Sequence, residues 1–237
     1  MLMNETVFIT GADKGLGLAL AREFYGSGWR VYAGSYANGS GLCALADESG
    51  GEVIVVPQDV SSVASVKASA QQVAARESML DVLINCAGIV PSCALARLPD
   101  LDLDAGRASE VMEVNAFGPL RVTQALLPLL ECGRRKLIIN ISSEAGSIGA
   151  MKRDYHYRYC MSKAALNMAC KILQNWLAPK GMKVLAIEPG WMKTDAGGPG
   201  ALLDPAVPAS GIYALAGRTW TMEDPIYMDY KGAPLPW

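Results

Sequence analysis

Tyr159 and Lys163 are the two residues whose types and spacing most directly suggest chemistry. They lie four residues apart in a helical pattern, so their side chains share one helix face. A tyrosine is a useful acid or base when its pKa falls from about 10 towards neutrality, and a nearby ammonium group favours the phenolate. The pair therefore predicts proton transfer at Tyr159, assisted by Lys163. Taken alone, the same spacing more often marks a solvated helix face.

A second candidate site is the glycine pattern near the start of the chain. Gly11, Gly15 and Gly17 lie between an apolar β-branched run and a helical pattern. Glycines in such a turn let the backbone approach a pyrophosphate, and the following helix presents its N–H groups and positive dipole end. The position of the glycines predicts a phosphate-binding turn, and an ordinary glycine-rich turn is the alternative.

Composition and charge exclude several other classes of protein. The single histidine, His156, makes a histidine-based metal site or catalytic triad improbable, and we expect no metal. The net charge of −2 and the pI near 5.5 disfavour nucleic acid and anionic membranes as partners. Six cysteines without a C-x-x-C pattern, no signal peptide and no apolar run of about 18 residues predict a cytoplasmic protein with reduced thiols.

The elements that must position these residues alternate along the chain. Strand-like apolar runs are predicted at Thr6–Thr10, Arg30–Ser35, Glu52–Val56, Asp81–Asn85, Lys136–Ile141, Met182–Glu188 and Pro225–Asp229. Helical patterns between them cover Leu16–Tyr25, a short stretch ending near Glu48, Ser61–Glu77, Ala108–Leu130, Tyr157–Leu177 and Ala209–Arg218. Pro119 predicts a kink or break in the fourth helix.

This alternation predicts an α/β fold. Strands that are apolar on both faces and separated by helices form a parallel sheet covered on both sides. We therefore predict a single doubly wound Rossmann domain over residues 1–237, with a mostly parallel seven-stranded sheet and helices on both faces.

The same pieces, taken in order, resemble the short-chain dehydrogenase/reductase family across essentially the whole chain. The segments that carry the resemblance are Thr10–Gly17, Asp59-Val60, Asn85-Cys86-Ala87-Gly88, Asn115, Asn140–Ser143, Tyr159–Lys163, and Pro189-Gly190 with Thr194. The runs Tyr-Cys-Met-Ser-Lys-Ala-Ala-Leu-Asn and Pro-Gly-Trp-Met-Lys-Thr-Asp, with the Gly-x-x-x-Pro-Trp ending, resemble its C-factor-like and sniffer-like carbonyl reductases. Two departures are Cys86, where a second asparagine is usual, and a longer gap before Tyr159.

The resemblance implies a role for each catalytic residue. Tyr159 would be the general acid in reduction, and Lys163 would lower its pKa and bind the nicotinamide ribose. Ser143 would hold the substrate oxygen, with Ser142 as the alternative serine, and Asn115 would hold a water. The residues implied to bind the cofactor are Gly11, Asp13, Lys14, Gly15, Leu16, Gly17, Ser35, Tyr36, Asp59, Val60, Asn85, Ala87, Gly88, Tyr159, Lys163, Pro189, Gly190, Met192 and Thr194.

The choice of cofactor depends on the end of the second strand. An acidic residue there would accept the ribose 2′-OH of NAD and repel the 2′-phosphate of NADP. Ser35 occupies that position and is neutral, and Lys14 is the basic residue that similar NADP-binding sequences place near the phosphate. Tyr36 stands where such sequences often carry arginine. Two of these three cues predict NADP(H), with NAD(H) as the alternative.

The substrate is predicted only as a class. The segments Val90–Cys93, Glu144–Ile148, Arg153–Tyr155 and Trp191–Met192 are largely apolar and suit a small uncharged carbonyl or alcohol, although Arg153 is expected to face solvent. The family resemblance also implies a homodimer or homotetramer. Three functions remain open: an NADPH-dependent ketone or aldehyde reductase, an NAD-dependent alcohol dehydrogenase, and an NAD(P)-binding signalling protein with little turnover.

Overall fold

A computed structural model describes residues 5–37, 39–91, 96–101, 107–198 and 200–237. Its strands are β1 (Thr6–Ile9), β2 (Arg30–Ser35), β3 (Val53–Pro57), β4 (Val82–Asn85), β5 (Leu137–Ile141), β6 (Lys183–Glu188) and β7 (Tyr227–Asp229). Its α-helices are α1 (Gly15–Gly26), α2 (Ser40–Glu48), α3 (Val63–Ala74), α4 (Arg107–Met112), α5 (Gly118–Cys132), α6 (Tyr157–Leu177) and α7 (Ala206–Gly217). Shorter helical turns are Leu98–Asp100, Glu113–Phe117, Glu144–Gly146 and Ala178–Lys180.

The strands form one sheet in the order β3-β2-β1-β4-β5-β6-β7. Every pairing between them is parallel, so the predicted doubly wound α/β fold is confirmed and the sheet is parallel throughout, not only mostly. The strand order reverses between β1 and β4, where Ile9 pairs with Ala33 on one side and with Ile84 on the other. Ligands of open α/β sheets bind at such a reversal, outside the carboxyl ends of the strands.

The helices pack on both faces of this sheet and bury a core on each. On one face, Leu20, Leu42 and Ile212 bring α1, α2 and α7 against the strands. On the other face, α3, α5 and α6 pack through residues such as Leu126 and Leu166. The strands therefore contribute buried side chains to both layers, which explains their nearly continuous apolar sequences.

The predicted kink at Pro119 takes the form of a wider helical turn just before it. Glu113–Phe117 is a π-helical turn between α4 and α5, and the N–H of Gly118 donates to the carbonyl of Glu113. Pro119 then occupies the first turn of α5, where its missing N–H costs least. The turn carries Asn115 into the protein interior, where it is 1% exposed.

Other element boundaries differ from the predicted ones by a few residues. β1 ends at Ile9, and α7 begins at Ala206, three residues before the predicted start at Ala209. Pro208 is accommodated in the first turn of α7, where no backbone N–H is required. In the described part of the chain, no helix has the length and apolar character needed to cross a membrane.

Candidate active site

The glycine turn is fastened to the carboxyl end of β4 by Thr10. The Thr10 hydroxyl oxygen accepts hydrogen bonds from the N–H groups of Cys86 and Ala87, both at 2.9 Å. Gly11 has a φ of +65°, and a β-carbon there would lie 2.8 Å from the Ala87 α-carbon. A β-carbon on Gly17 would lie 2.1 Å from the Gly11 carbonyl oxygen. Glycine is therefore required for the turn to close against both its own helix and β4.

The beginning of α1 has the features of a phosphate site. Lys14, the N-cap residue, is extended and makes no side-chain cap to the helix, and the first turn contains no acidic residue. The free N–H groups and the positive dipole end of α1 thus face the crevice, and no carboxylate caps them. Leu16 contributes only its backbone here, because its side chain is buried in the core. These residues fit the pyrophosphate of a dinucleotide.

The end of β2 is held by the carboxylate of Asp13. One carboxylate oxygen accepts from the Ser35 hydroxyl at 2.5 Å and from the Ala37 N–H at 3.1 Å, and the other accepts from the Tyr36 N–H at 2.9 Å. Burial opposes the charge, but these hydrogen bonds together hold the pKa of Asp13 below its usual value. Ser35 is buried against this anion, while the Tyr36 side chain is 75% exposed. The neutral strand end predicted from Ser35 therefore has a carboxylate beside it.

The segment after β6 lies over the glycine turn. Lys14 forms an ion pair with Asp195 at 2.5 Å, and both side chains are largely exposed. A β-carbon on Gly15 would lie 3.1 Å from the Thr194 methyl group. Pro189 is buried, and Met192 forms an isolated β-bridge with Leu203. The segment that carries Gly190 and Thr194 is thus in contact with the glycine turn.

Gly190 brings a further acidic residue, Glu188, towards this segment. The N–H of Gly190 donates to the Glu188 carboxylate at 2.7 Å, and a β-carbon on Gly190 would lie 2.5 Å from the Leu203 side chain. Burial, followed by the effect of other carboxylates, raises the pKa of Glu188 despite this hydrogen bond. The sequence reasoning did not single out Glu188.

The other predicted cofactor residues line the carboxyl ends of β3 and β4. Asp59 accepts hydrogen bonds from the N–H and hydroxyl of Ser61 and so shapes the turn before α3. Val60 is buried beside it. Asn85 donates to the Asn140 side-chain oxygen at 2.9 Å and ties β4 to β5. Asn85 therefore has a structural role at the strand ends beside the crevice.

Tyr159 and Ser143 meet at the carboxyl end of β5. Burial raises the pKa of Tyr159 above its usual value, and a side-chain hydrogen bond with Ser143 opposes that rise, so the lowering expected from Lys163 is not found in this structure. Ser142 points elsewhere: its hydroxyl donates to the Asn167 side-chain oxygen at 2.6 Å, and it is 2% exposed. Ser143 is also positioned by Tyr227, whose hydroxyl donates to the Ser143 carbonyl at 2.7 Å. Of the two serines, Ser143 is the one beside Tyr159.

Lys163 lies one helical turn further along α6, with its ammonium group 5.8 Å from the centre of the Tyr159 ring. The ammonium group donates to the Ile141 carbonyl at 2.7 Å and is buried. Burial lowers the pKa of Lys163 to about 8. Cys86 is a near neighbour, and burial raises the pKa of its thiol to about 12 despite the lysine charge. The thiol next to Lys163 is therefore uncharged at neutral pH.

Asn115 connects the π-helical turn to the strand end and to α6. Its side-chain oxygen accepts from the Ile89 N–H at 2.8 Å, and its amide group donates to the Ile89 carbonyl at 2.9 Å and to the Ser162 hydroxyl at 3.1 Å. A β-carbon on Gly88 would lie 3.4 Å from the Asn115 oxygen and 3.8 Å from the Lys163 ammonium nitrogen. The Asn115 side chain thus holds the wall of the site through three hydrogen bonds.

The residues inserted before α6 lie beside Tyr159. Arg153 forms an ion pair with Glu144 and hydrogen-bonds the Cys160 side chain. The Arg153 side chain is 30% exposed, so the expectation that it simply faces solvent is wrong. The His156 ring centre lies 6.2 Å from that of Tyr159. The longer gap before Tyr159 was the sequence signal for this loop. The predicted pocket residues 92 and 93 lie outside the described residues.

This fold and this arrangement of Ser143, Tyr159 and Lys163 define a class of protein. The short chain dehydrogenase family matches residues 5–199, and the chain belongs to it. The predicted family is thereby confirmed, and carbonyl reductases are among the members to which this chain is similar.

Particular members of the family are similar over most of the chain. C-signal of Myxococcus xanthus is 37% identical over 159 residues, which cover 67% of this chain and 93% of that protein. The NADPH-bound carbonyl reductase from chicken fatty liver has 29% identity and a TM-score of 0.88, and each chain is covered completely. The carbonyl reductase Sniffer of Drosophila melanogaster has 27% identity and a TM-score of 0.89, covering 99% of this chain and 100% of that one.

Proposed function

We propose that this protein is a carbonyl reductase in which Tyr159, Ser143, Lys163 and Asn115 form the active site and a nicotinamide dinucleotide is the hydride donor. The observation that carries the proposal is the side-chain hydrogen bond between the half-buried residues Tyr159 and Ser143, with the buried Lys163 ammonium group one helical turn away. The three side chains lie at the carboxyl ends of the strands, beside a glycine turn that fits a pyrophosphate.

Each residue has a distinct task in the proposed reduction. A bound nicotinamide cofactor would supply the hydride to the carbonyl carbon. Tyr159 donates its phenolic proton to the carbonyl oxygen, and Ser143 hydrogen-bonds that oxygen as negative charge develops on it. Lys163 stabilises the phenolate that remains on Tyr159, because an ammonium group nearby favours the charged phenol. Asn115 positions Ile89 and the site wall through its side chain.

NADP(H) is the cofactor that the sequence cues favour, and the NADPH-bound carbonyl reductase from chicken supports that choice by similarity. The Asp13 carboxylate at the end of β2 favours NAD(H) as the second candidate, since an anion there disfavours a 2′-phosphate. The similarity to C-signal keeps a signalling role with little turnover as a third candidate.

An uncharged ketone or aldehyde is the proposed substrate class. Ile148 and Trp191, in two of the predicted pocket segments, are exposed apolar side chains, and the Arg153 charge is balanced by Glu144. The single-domain organisation of residues 1–237, a dimeric or tetrameric assembly and a cytoplasmic location stay predictions.

The experiment is a turnover screen of ketones and aldehydes with NADPH and NADH, run on the wild type and on two serine variants. Ser143→Ala should lower kcat by about 100-fold or more, because it removes a donor to the developing oxyanion. Ser142→Ala is the matched control and should keep kcat within about tenfold, although losing its hydrogen bond to Asn167 costs stability. The reverse order of effects, or no turnover by wild type with any carbonyl, would contradict the proposal.

A further inference from the structure

Asp13 is the acidic residue in the glycine turn, and its carboxylate lies at the strand end where dinucleotide-binding folds read the adenosine ribose. The carboxylate takes the Ser35 hydroxyl and the Tyr36 and Ala37 N–H groups as donors. These three groups are hydrogen-bond donors at the end of β2 that could otherwise bind an anion, and the Asp13 carboxylate already uses them. An acidic side chain at this strand end accepts the 2′-OH of NAD, whereas a basic one accommodates the 2′-phosphate of NADP.

The arrangement is built into the backbone. Asp13 is 8% exposed, and the Ala12 N–H donates to the Gly34 carbonyl at 2.9 Å, which joins the glycine turn to β2. A β-carbon on Gly39 would lie 2.3 Å from the Asp13 carbonyl oxygen, so the loop after β2 presses directly on this residue. A carboxylate held in this way cannot move aside without losing several hydrogen bonds.

The cation expected to offset this charge is engaged elsewhere. Lys14 pairs with Asp195 at 2.5 Å. Tyr36 stands where an arginine would otherwise supply a second positive charge, and its side chain is largely exposed. A phosphate arriving at the end of β2 therefore meets a fixed anion, and its main positive partner is shared with a second carboxylate.

We propose that Asp13 sets the choice of dinucleotide in this protein: its carboxylate fills the anion position at the end of β2 and penalises a 2′-phosphate, so that NADH is accepted alongside NADPH. The inference rests on the proposed function for the presence of a dinucleotide. The residue that selects the cofactor is thus Asp13 in the glycine turn, and not Ser35 at the end of β2. The side chain acts by its charge and by the donors that it occupies.

The test is a fluorescence titration with NADH and NADPH of the wild type, Asp13→Asn and the control Asp47→Asn. Asp47 is an exposed acidic residue on α2, so its replacement removes the same charge without changing the strand end. The wild type should bind the two cofactors within about tenfold of each other. Asp13→Asn should tighten NADPH relative to NADH by about tenfold or more, because one like charge is removed and the new NH2 group no longer accepts a hydrogen bond from the strand end. Asp47→Asn should leave the ratio within about twofold.

A second variant and smaller ligands keep the test valid if Asp13→Asn fails to fold. Asp13→Ser and calorimetry with 2′,5′-ADP against 5′-AMP isolate the 2′-phosphate from the rest of the cofactor, and the same selective gain is expected. An unchanged NADPH-to-NADH ratio in both Asp13 variants, or an equal change in Asp47→Asn, would overturn the inference. A selective shift in a protein that turns over no carbonyl would support the role of Asp13 and count against the reductase. Failure of the wild type to bind either dinucleotide would overturn both.

Discussion

Replacing Asn115 by alanine removes the side chain that joins the π-helical turn to Ile89 and to α6. Three hydrogen bonds are lost, to the Ile89 N–H, the Ile89 carbonyl and the Ser162 hydroxyl. With a net contribution near 1 kcal/mol for each, the free energy of unfolding should fall by about 3 kcal/mol. For a chain of this length that corresponds to a decrease in Tm of about 6–12 °C. Activity should fall as well, because the Gly88–Ile89 wall faces Lys163.

Urea unfolding followed by circular dichroism measures this loss, and steady-state kinetics on the same preparation measures kcat. Asn175→Ala is the matched control, because Asn175 is exposed on the same helix as Ser162 and its loss should change stability by less than about 0.5 kcal/mol. If Asn115→Ala unfolded within about 1 kcal/mol of wild type, the three contacts would not hold the site wall as described. The structural role assigned to the side chain would then be refuted.

Three further perturbations follow from the geometry. Gly17→Ala should abolish cofactor binding in a titration, because the added β-carbon would lie 2.1 Å from the Gly11 carbonyl oxygen and displace the turn. Binding equal to that of wild type would contradict the role of this turn in holding the cofactor. Wild type should gain stability relative to Lys163→Met as pH rises through about 8 towards 10.5, since burial lowers the pKa of Lys163 and the unfolded chain then binds more protons; a pH-independent difference would argue against that burial. Asp81→Asn should cost about 1–3 kcal/mol at pH 7, because the buried Asp81 carboxylate loses charge-assisted hydrogen bonds, while its partner Arg134 is half-exposed and stays solvated. The Asp81 pKa lies below its usual value, so this difference should shrink as pH falls below 3.8, and an acid-insensitive difference would contradict the pairing.

The fold and the general position of the site were predictable because both depend on local patterns. Apolar runs separated by amphipathic helices specify a parallel sheet, and the polar residues that end its strands must then meet at one edge. Gly11 and Gly17 lie where that arrangement puts the turn after β1, whereas Tyr159 was singled out by its spacing from Lys163 and by the family resemblance.

Features that depend on distant side chains were less accessible. The contact of Asp13 with the end of β2 joins residues more than twenty positions apart, so a count along the strand found only neutral Ser35. The orientation of Ser142 towards Asn167 is set by α6 packing and is invisible in the serine pair itself. Arg153 was expected in solvent because its partner Glu144 is brought to it only by the folded loop.

The central claim is that the Tyr159 hydroxyl supplies the proton in carbonyl reduction. The most direct measurement is single-turnover oxidation of bound NADPH or NADH by a carbonyl compound that the wild type reduces, followed by fluorescence, in wild type and Tyr159→Phe. The account predicts that cofactor affinity stays within about threefold while hydride transfer slows by about 100-fold or more, because only the acidic group is removed. Hydride transfer in Tyr159→Phe within about threefold of wild type would contradict the assignment of Tyr159 as the acid.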